Sequence, residues 1–196
     1  MSGPVQGGLF GDPAQDAGGE VHRLFFALWP DEDVRAAMAA RAADLRARHP
    51  ARARWVGAHR YHLTLCFLGD RPVLDVPVLE RASAAAAALA PSGFDLVLDR
   101  AGSFANRSIP WWLGCSATPP GLVALHDALA SALVRAGVRL HPPTRLVPHV
   151  TVARDAAEPL DAPVAPLAWR VDRFVLIHSV LGPRSQYRIV GEWPLA

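Results

Sequence analysis

The sequence predicts an α+β fold with antiparallel sheets, arranged as two similar lobes around a cleft. Three observations carry that expectation. The order strand, helix, strand, helix occurs twice along the chain. The strand-like runs vary in length and include hairpin partners, and no Gly-rich phosphate loop opens a helix, which disfavours a doubly wound parallel sheet. A His-x-Thr motif stands in a strand-like run of each half, 87 residues apart, which a pseudo-two-fold pair of lobes would bring together.

The elements follow in order. Folding begins at Arg23, and Leu24-Phe25-Phe26-Ala27-Leu28-Trp29 is a short buried strand stopped by Pro30. Asp31 is the N-cap of a helix in which Val34, Met38, Ala42 and Leu45 recur at helical spacing to about Arg48. After Trp55-Val56 comes a strand, His62 to Leu68, closed by Gly69-Asp70. Residues 73–90, with their alanine run, read as a second helix. Phe94 to Leu98 alternates as a strand, and Trp111 to Cys115 is its hairpin partner across a loop from Gly102 to Pro110. Pro119-Pro120 opens a third helix with the stripe Leu122, Leu125, Leu129 and Leu133, and Gly137 stops it. A connection, His141-Pro142-Pro143, leads to the strand His149 to Ala153. Residues 157–167 read as a Pro-rich loop, and Trp169–Ile177 and Tyr187–Trp193 as two closing strands.

Composition narrows the function classes. A chain of 196 residues with 51% hydrophobic and 19% charged residues buries a core without disulfide or metal staples. Twenty basic against 18 acidic residues leave a net charge of +2, too little to coat long nucleic acid. Any RNA or nucleotide is therefore expected to be held locally, in a pocket. Cys66 and Cys115 sit in apolar runs and do not make a secreted disulfide scaffold, so a reducing, cytoplasmic setting is expected. Residues 1–20 are Gly-rich, with no basic n-region and no apolar h-region; they read as a disordered tail, not a signal peptide. Residues 21–196 are expected to form a single domain. No apolar run is long enough to cross a membrane, and no membrane partner is expected.

The paired motif is the feature that carries chemistry. His62-Leu63-Thr64-Leu65 and His149-Val150-Thr151-Val152 each place His and Thr on one face of a strand, with the residue between pointing the other way. A single His-x-Thr is ordinary in a half-buried strand. With 8 His and 4 Thr in the chain, chance supplies roughly 0.2 such motifs, and two are on the order of a 1% event. Two imidazoles suit a reaction in which one ring accepts a proton and the other donates one. Transfer at phosphorus has that demand, and the hydroxyls suit non-bridging phosphate oxygens as neutral donors. The set lacks the carboxylate partner and His-x-His spacing that zinc or iron favours, so neither a metal nor another cofactor is expected.

Around these motifs stand Arg23-Leu24-Phe25-Phe26-Ala27-Leu28, Phe67-Leu68-Gly69, Gly102-x-Phe104, Pro148, Ala153-Arg154, Tyr187 and Trp193-Pro194-Leu195. In this combination, from Arg23 to Leu195, the chain resembles the 2H phosphoesterase superfamily. Within it the likeness is to the bacterial and archaeal RNA 2′,3′-cyclic phosphodiesterases, also called 2′-5′ RNA ligases. The resemblance implies a bilobal fold with the cleft between lobes, and hydrolysis of a 2′,3′-cyclic phosphate end to a 2′-phosphate, with 2′-5′ ligation as the reverse direction. It implies His62 as proton donor, His149 as proton acceptor, and Thr64 and Thr151 as phosphate ligands. The partner is then an RNA end or nucleotide bearing the cyclic phosphate, met by a monomer. Arg154 matches an arginine expected near the phosphate. In an unbroken strand it would face away from His149 and Thr151, so the strand must end or bulge near Ala153.

Other readings compete. Cys66, on the same face as His62 and Thr64 of a regular strand, offers a Cys–His nucleophile against the ordinary reading of an inert core thiol. Phe67 and Phe104 offer stacking surfaces for a base, against plain core packing. His59, His126, His141 and His178 lack a partner motif and read as surface or satisfied histidines. A non-catalytic nucleotide or RNA-end binding module would use the same pocket, but loss of a motif His would be its expected mark and both are intact. A metal scaffold is disfavoured by the ligand chemistry.

Overall fold

A computed structural model describes residues 20–105, 107–140, 146–182 and 186–196. The expected tail, apart from Glu20, and the connection at His141-Pro142-Pro143 lie outside the described residues.

The chain forms β1 (Val21–Leu28), α1 (Glu32–Arg48), β2 (Arg54–Trp55), β3 (Leu63–Arg71), α2 (Val76–Ala87), β4 (Phe94–Ser103), β5 (Trp111–Gly114), α3 (Pro120–Arg135), β6 (His149–Arg154), β7 (Asp161–Val171), β8 (Arg173–Leu181) and β9 (Gln186–Pro194). Asp31 caps α1 by accepting from the Val34 N–H at 2.8 Å, and Met38, Ala42 and Leu45 are the buried face. Asp75 caps α2 in the same way through Val78, which trims the helix expected over 73–90. The leucine stripe of α3 is buried as expected, and Gly137, at φ +72°, ends the helix.

All pairings are antiparallel, in the order β7-β4-β5-β6-β3-β1-β8-β9, with β2 beside β6. A four-stranded and a five-stranded half meet at a single pair, Leu63 opposite Val150. The terminal lobe holds β1, β3, β8 and β9; the central lobe holds β2 and β4 to β7. The lobes are therefore not successive halves of the chain: its last two strands return to pair with its first. The three helices contribute to one large core on one face of the sheet. The opposite face of the terminal lobe carries a smaller cluster, Phe25, Ala27, Val175 and Ile177, with Trp29, Phe67 and Tyr187 packed on it.

One part of the expected element pattern is corrected. The segment 157–167 is a loop only as far as Leu160; β7 runs from Asp161 to Val171, and β8 begins at Arg173, so Trp169–Ile177 spans the turn between two strands. Pro163 and Pro166 disguise this strand. They are tolerated because β7 is an edge strand, where a missing N–H on the outer side costs no ladder bond. Ala162, Val164, Leu167, Trp169 and Val171 are its buried face.

Candidate active site

The bridge between Leu63 and Val150 fixes the site. Both residues are fully buried on the core side. Carried one residue further each way, the antiparallel register sets His62 level with Thr151 and Thr64 level with His149, all on the opposite face. Both motif histidines and both motif threonines thus lie on one face of the sheet at the junction of the lobes.

Each imidazole is oriented identically. His62 Nδ1–H donates to the Arg60 carbonyl and His149 Nδ1–H to the Val147 carbonyl, each at 2.7 Å. A carbonyl only accepts, so both Nδ1 atoms carry hydrogen and both Nε2 atoms are left for chemistry. Burial lowers the pKa of both rings, that of His62 to about 4, against the opposing effect of these hydrogen bonds. The Arg154 charge pushes both downward as well, and that of His149 adds to the push on His62.

Matching bulges bring a fourth position onto the cleft face. Between Phe26 and Ala27 the β1–β3 register slips, so Leu65 and Cys66 both enter the core and Phe67 returns to the face of Thr64. Between Trp111 and Trp112 the β5–β6 register slips in the same sense; Val152 and Ala153 both enter the core, which returns Arg154 to the face of Thr151. Asp155 ends this strand at φ +54° and is held by Ser108 at 2.6 Å and Arg54 at 2.9 Å. The bulge also corrects the placement of Cys66. It lies in the core rather than beside His62, and burial pushes its thiol up to about 12, so it supplies no thiolate.

The surroundings of the two rings differ. Phe25, Trp29 and Tyr187 stand 5.0, 6.3 and 5.5 Å from His62, centroid to centroid. Arg35 lies over Trp29 and Arg60 over Tyr187. On the other side Phe104 meets His149 edge-on at 4.9 Å and Trp112 at 5.5 Å. Both Phe67 and Phe104 are half-buried on the cleft side. His126 pairs with Asp127 and His178 with His22, away from the motifs. Phe25, Trp29, Tyr187 and Trp112 are site residues that sequence reasoning missed. For Trp112 the available signal was a tryptophan in a strand between two glycines, Gly102 and Gly114, that leave room beneath it.

A two-lobed antiparallel fold with a mirrored His-x-Thr pair across its cleft defines a 2H phosphoesterase. The chain belongs to the 2′-5′ RNA ligase superfamily, whose sequence model matches residues 30–183. It is 34% identical over 181 residues to an RNA 2′,3′-cyclic phosphodiesterase of Escherichia coli K12, covering 90% of this chain and 98% of that one. It is also 34% identical over 183 residues to a protein of the same name from Thermus thermophilus, covering 87% and 88%. Among solved structures, E. coli LigT complexed with 3′-AMP matches with a TM-score of 0.71 and 33% identity, over 90% of this chain and 99% of that one.

Proposed function

We propose that this chain hydrolyses the 2′,3′-cyclic phosphate of an RNA end or nucleotide to a 2′-phosphate, by acid–base catalysis between His62 and His149. The observation that carries the reading is the mirrored pair of imidazoles, each with Nδ1 tied to a backbone carbonyl and Nε2 left for a proton. Relatives bearing the name RNA 2′,3′-cyclic phosphodiesterase, and LigT structures with 3′-AMP and phosphate, support it.

His149 Nε2 takes the proton of a water that attacks phosphorus. The P–O3′ bond opposite breaks, and His62 Nε2 gives its proton to O3′. Thr64 and Thr151 donate to the non-bridging oxygens, and Arg154 offsets their charge. Approach of the anionic phosphate raises both imidazole pKa values, which lets His62 hold the proton it must give. The leaving oxygen belongs to the ribose, so the ribose lies on the His62 side, against Phe25, Trp29 and Tyr187. The test is incubation of an RNA ending in a 2′,3′-cyclic phosphate, followed by phosphorus NMR. A 2′-phosphate beside a free 3′-hydroxyl is expected; an unchanged substrate defeats the reading, and a 3′-phosphate reverses the orientation of the ring.

A further inference from the structure

Strand β6 ends in a way that its counterpart β3 does not. At the 87-residue offset Phe67 matches Arg154, and Leu68 matches Asp155. Leu68 is buried and its strand runs on to Arg71, whereas β6 stops at Arg154 and Asp155 turns the chain at φ +54°. Among the described residues Asp155 is the one non-glycine at positive φ. Such a conformation persists only where the surroundings over-determine it. Here they do so from two sides. On one, the Asp155 carboxylate accepts from the Ser108 hydroxyl at 2.6 Å, and the Ala156 N–H donates to the Ile109 carbonyl at 3.0 Å. On the other, the carboxylate accepts from Arg54 Nε at 2.9 Å, and the Ala157 N–H donates to the Arg52 carbonyl at 2.9 Å. The hydrogen bonds from Ser108 and Arg54 hold the carboxyl below its ordinary pKa, so it is ionised near neutral pH. The pair with Arg54 is half-exposed and adds little stability by itself. Its geometry, however, bears on the cleft. Arg54 stands directly opposite Arg154 in the β2–β6 pair, two like charges on one face, and Asp155 fixes the first beside the second. Ser108 belongs to the connection that carries Phe104, the ring set edge-on to His149.

We propose that Asp155 is a positioning residue for the reaction: by tying the end of β6 to Arg54 and Ser108 it holds the Arg154 guanidinium on the cleft face, toward the phosphate. The proposal rests on the hydrolytic reading above. Asp155 itself transfers no proton; it acts through Arg154. Release of Arg154 and loss of the Asp155 charge act on the motif histidines with opposite signs. The Arg154 charge lowers both imidazole pKa values, so its release raises them. The Asp155 charge is negative, so its loss alone lowers them. The other charges that act on His62, those of His149 and Arg60, are untouched by a substitution at Asp155.

The test is a proton NMR titration of the His62 and His149 rings, with kcat and KM for a cyclic-phosphate RNA measured beside it. In Asp155→Ala both imidazole pKa values rise, as in Arg154→Ala. There kcat/KM falls by about 10-fold at most, no more than loss of the Arg154 contact itself. Adding Asp155→Ala to Arg154→Ala moves neither reading further. Asp155→Asn tolerates the same φ, accepts from Arg54 and donates to the Ser108 hydroxyl, so it keeps kcat/KM near the wild-type value and shows no rise. Imidazole pKa values that stay or fall in Asp155→Ala overturn the proposal, even where the urea midpoint drops, since the residue is then merely structural. An effect that adds in full to that of Arg154→Ala overturns it too, as does Asp155→Asn behaving like Asp155→Ala. Should Asp155→Ala fail to fold, Ser108→Ala leaves the residue at φ +54° in place and must raise the same pKa values in smaller measure; no rise overturns the proposal. The titration needs no substrate. A wild-type chain that leaves the cyclic phosphate untouched therefore defeats the hydrolytic reading alone, and the imidazoles still decide the role of Asp155.

Discussion

An offset of 87 residues sets Arg60 against Val147, His62 against His149, Thr64 against Thr151 and Phe67 against Arg154. In the terminal lobe the residue opposite the motif Thr is Ala27; in the central lobe it is Trp112. Trp29 stacks on His62, whereas Gly114 stands opposite His149. Phe67 lies under the Arg23 guanidinium, while Arg154 sends its charge toward both imidazoles. In the mechanism proposed above, the paired groups are duplicated because in-line displacement needs an acid and a base on opposite sides of one phosphorus. The walls are not duplicated, because the proposed substrate has two different ends. Symmetry would then supply the chemistry, and its breaking the direction.

The largest effect is expected where the lobes are alike. His62→Ala and His149→Ala should each lower turnover of a cyclic-phosphate RNA by about 10²- to 10⁴-fold while circular dichroism shows an intact fold. Near wild-type turnover in either would break the equivalence of the two rings. Thr64→Ala and Thr151→Ala should each cost on the order of 10- to 100-fold, since one neutral donor is lost from a charged oxygen.

Arg154 and Phe67 test the asymmetry. Arg154→Ala should weaken turnover by about 10-fold, the loss of one charged contact to phosphate, and Phe67→Ala by less. Because the Arg154 charge lowers both imidazole pKa values, its removal should also move the optimum of kcat/KM to higher pH. In the wild type that optimum should lie on the acid side of the kcat optimum, since bound phosphate anion raises what burial has lowered. Coincident optima would mean that the phosphate does not lie between the rings.

A smaller effect concerns stability. Both motif histidines titrate lower in the folded chain than in the unfolded one, His62 at about 4, so below the ordinary histidine pKa of 6.5 and down to that of folded His62 the unfolded chain binds more protons. Stability should fall as pH falls through that window, and urea midpoints at pH 7 and pH 5 measure it. His62→Ala should flatten the slope; an unchanged slope would place the titration elsewhere.

Much of this was legible in the sequence because it depends on local pattern. The period-two placement of His and Thr, the Asp31 cap and the leucine stripe of α3 follow from side-chain spacing alone. The bulge near Ala153 was also legible, since Arg154 cannot otherwise share a face with Thr151. The equivalent bulge at Leu65 and Cys66 was not, because a run of apolar residues reads the same with or without a slip. Continuous apolarity likewise hid which of Phe25 and Phe26 faces the cleft: only pairing on both sides of β1 assigns them to opposite faces. β7 was hidden by prolines that only an edge position excuses. Tyr187 reaches His62 from a strand more than a hundred residues away, a contact that no local pattern encodes.

Like rings on unlike lobes should take fixed and opposite roles. The decisive measurement uses a cyclic phosphate whose 3′ bridging oxygen is replaced by sulfur, a leaving group that departs without a proton. Turnover of this substrate by His62→Ala should recover toward the wild-type rate, while His149→Ala, lacking the base, should remain slow. Rescue of His149→Ala with no rescue of His62→Ala would contradict this assignment and exchange the roles of the two lobes.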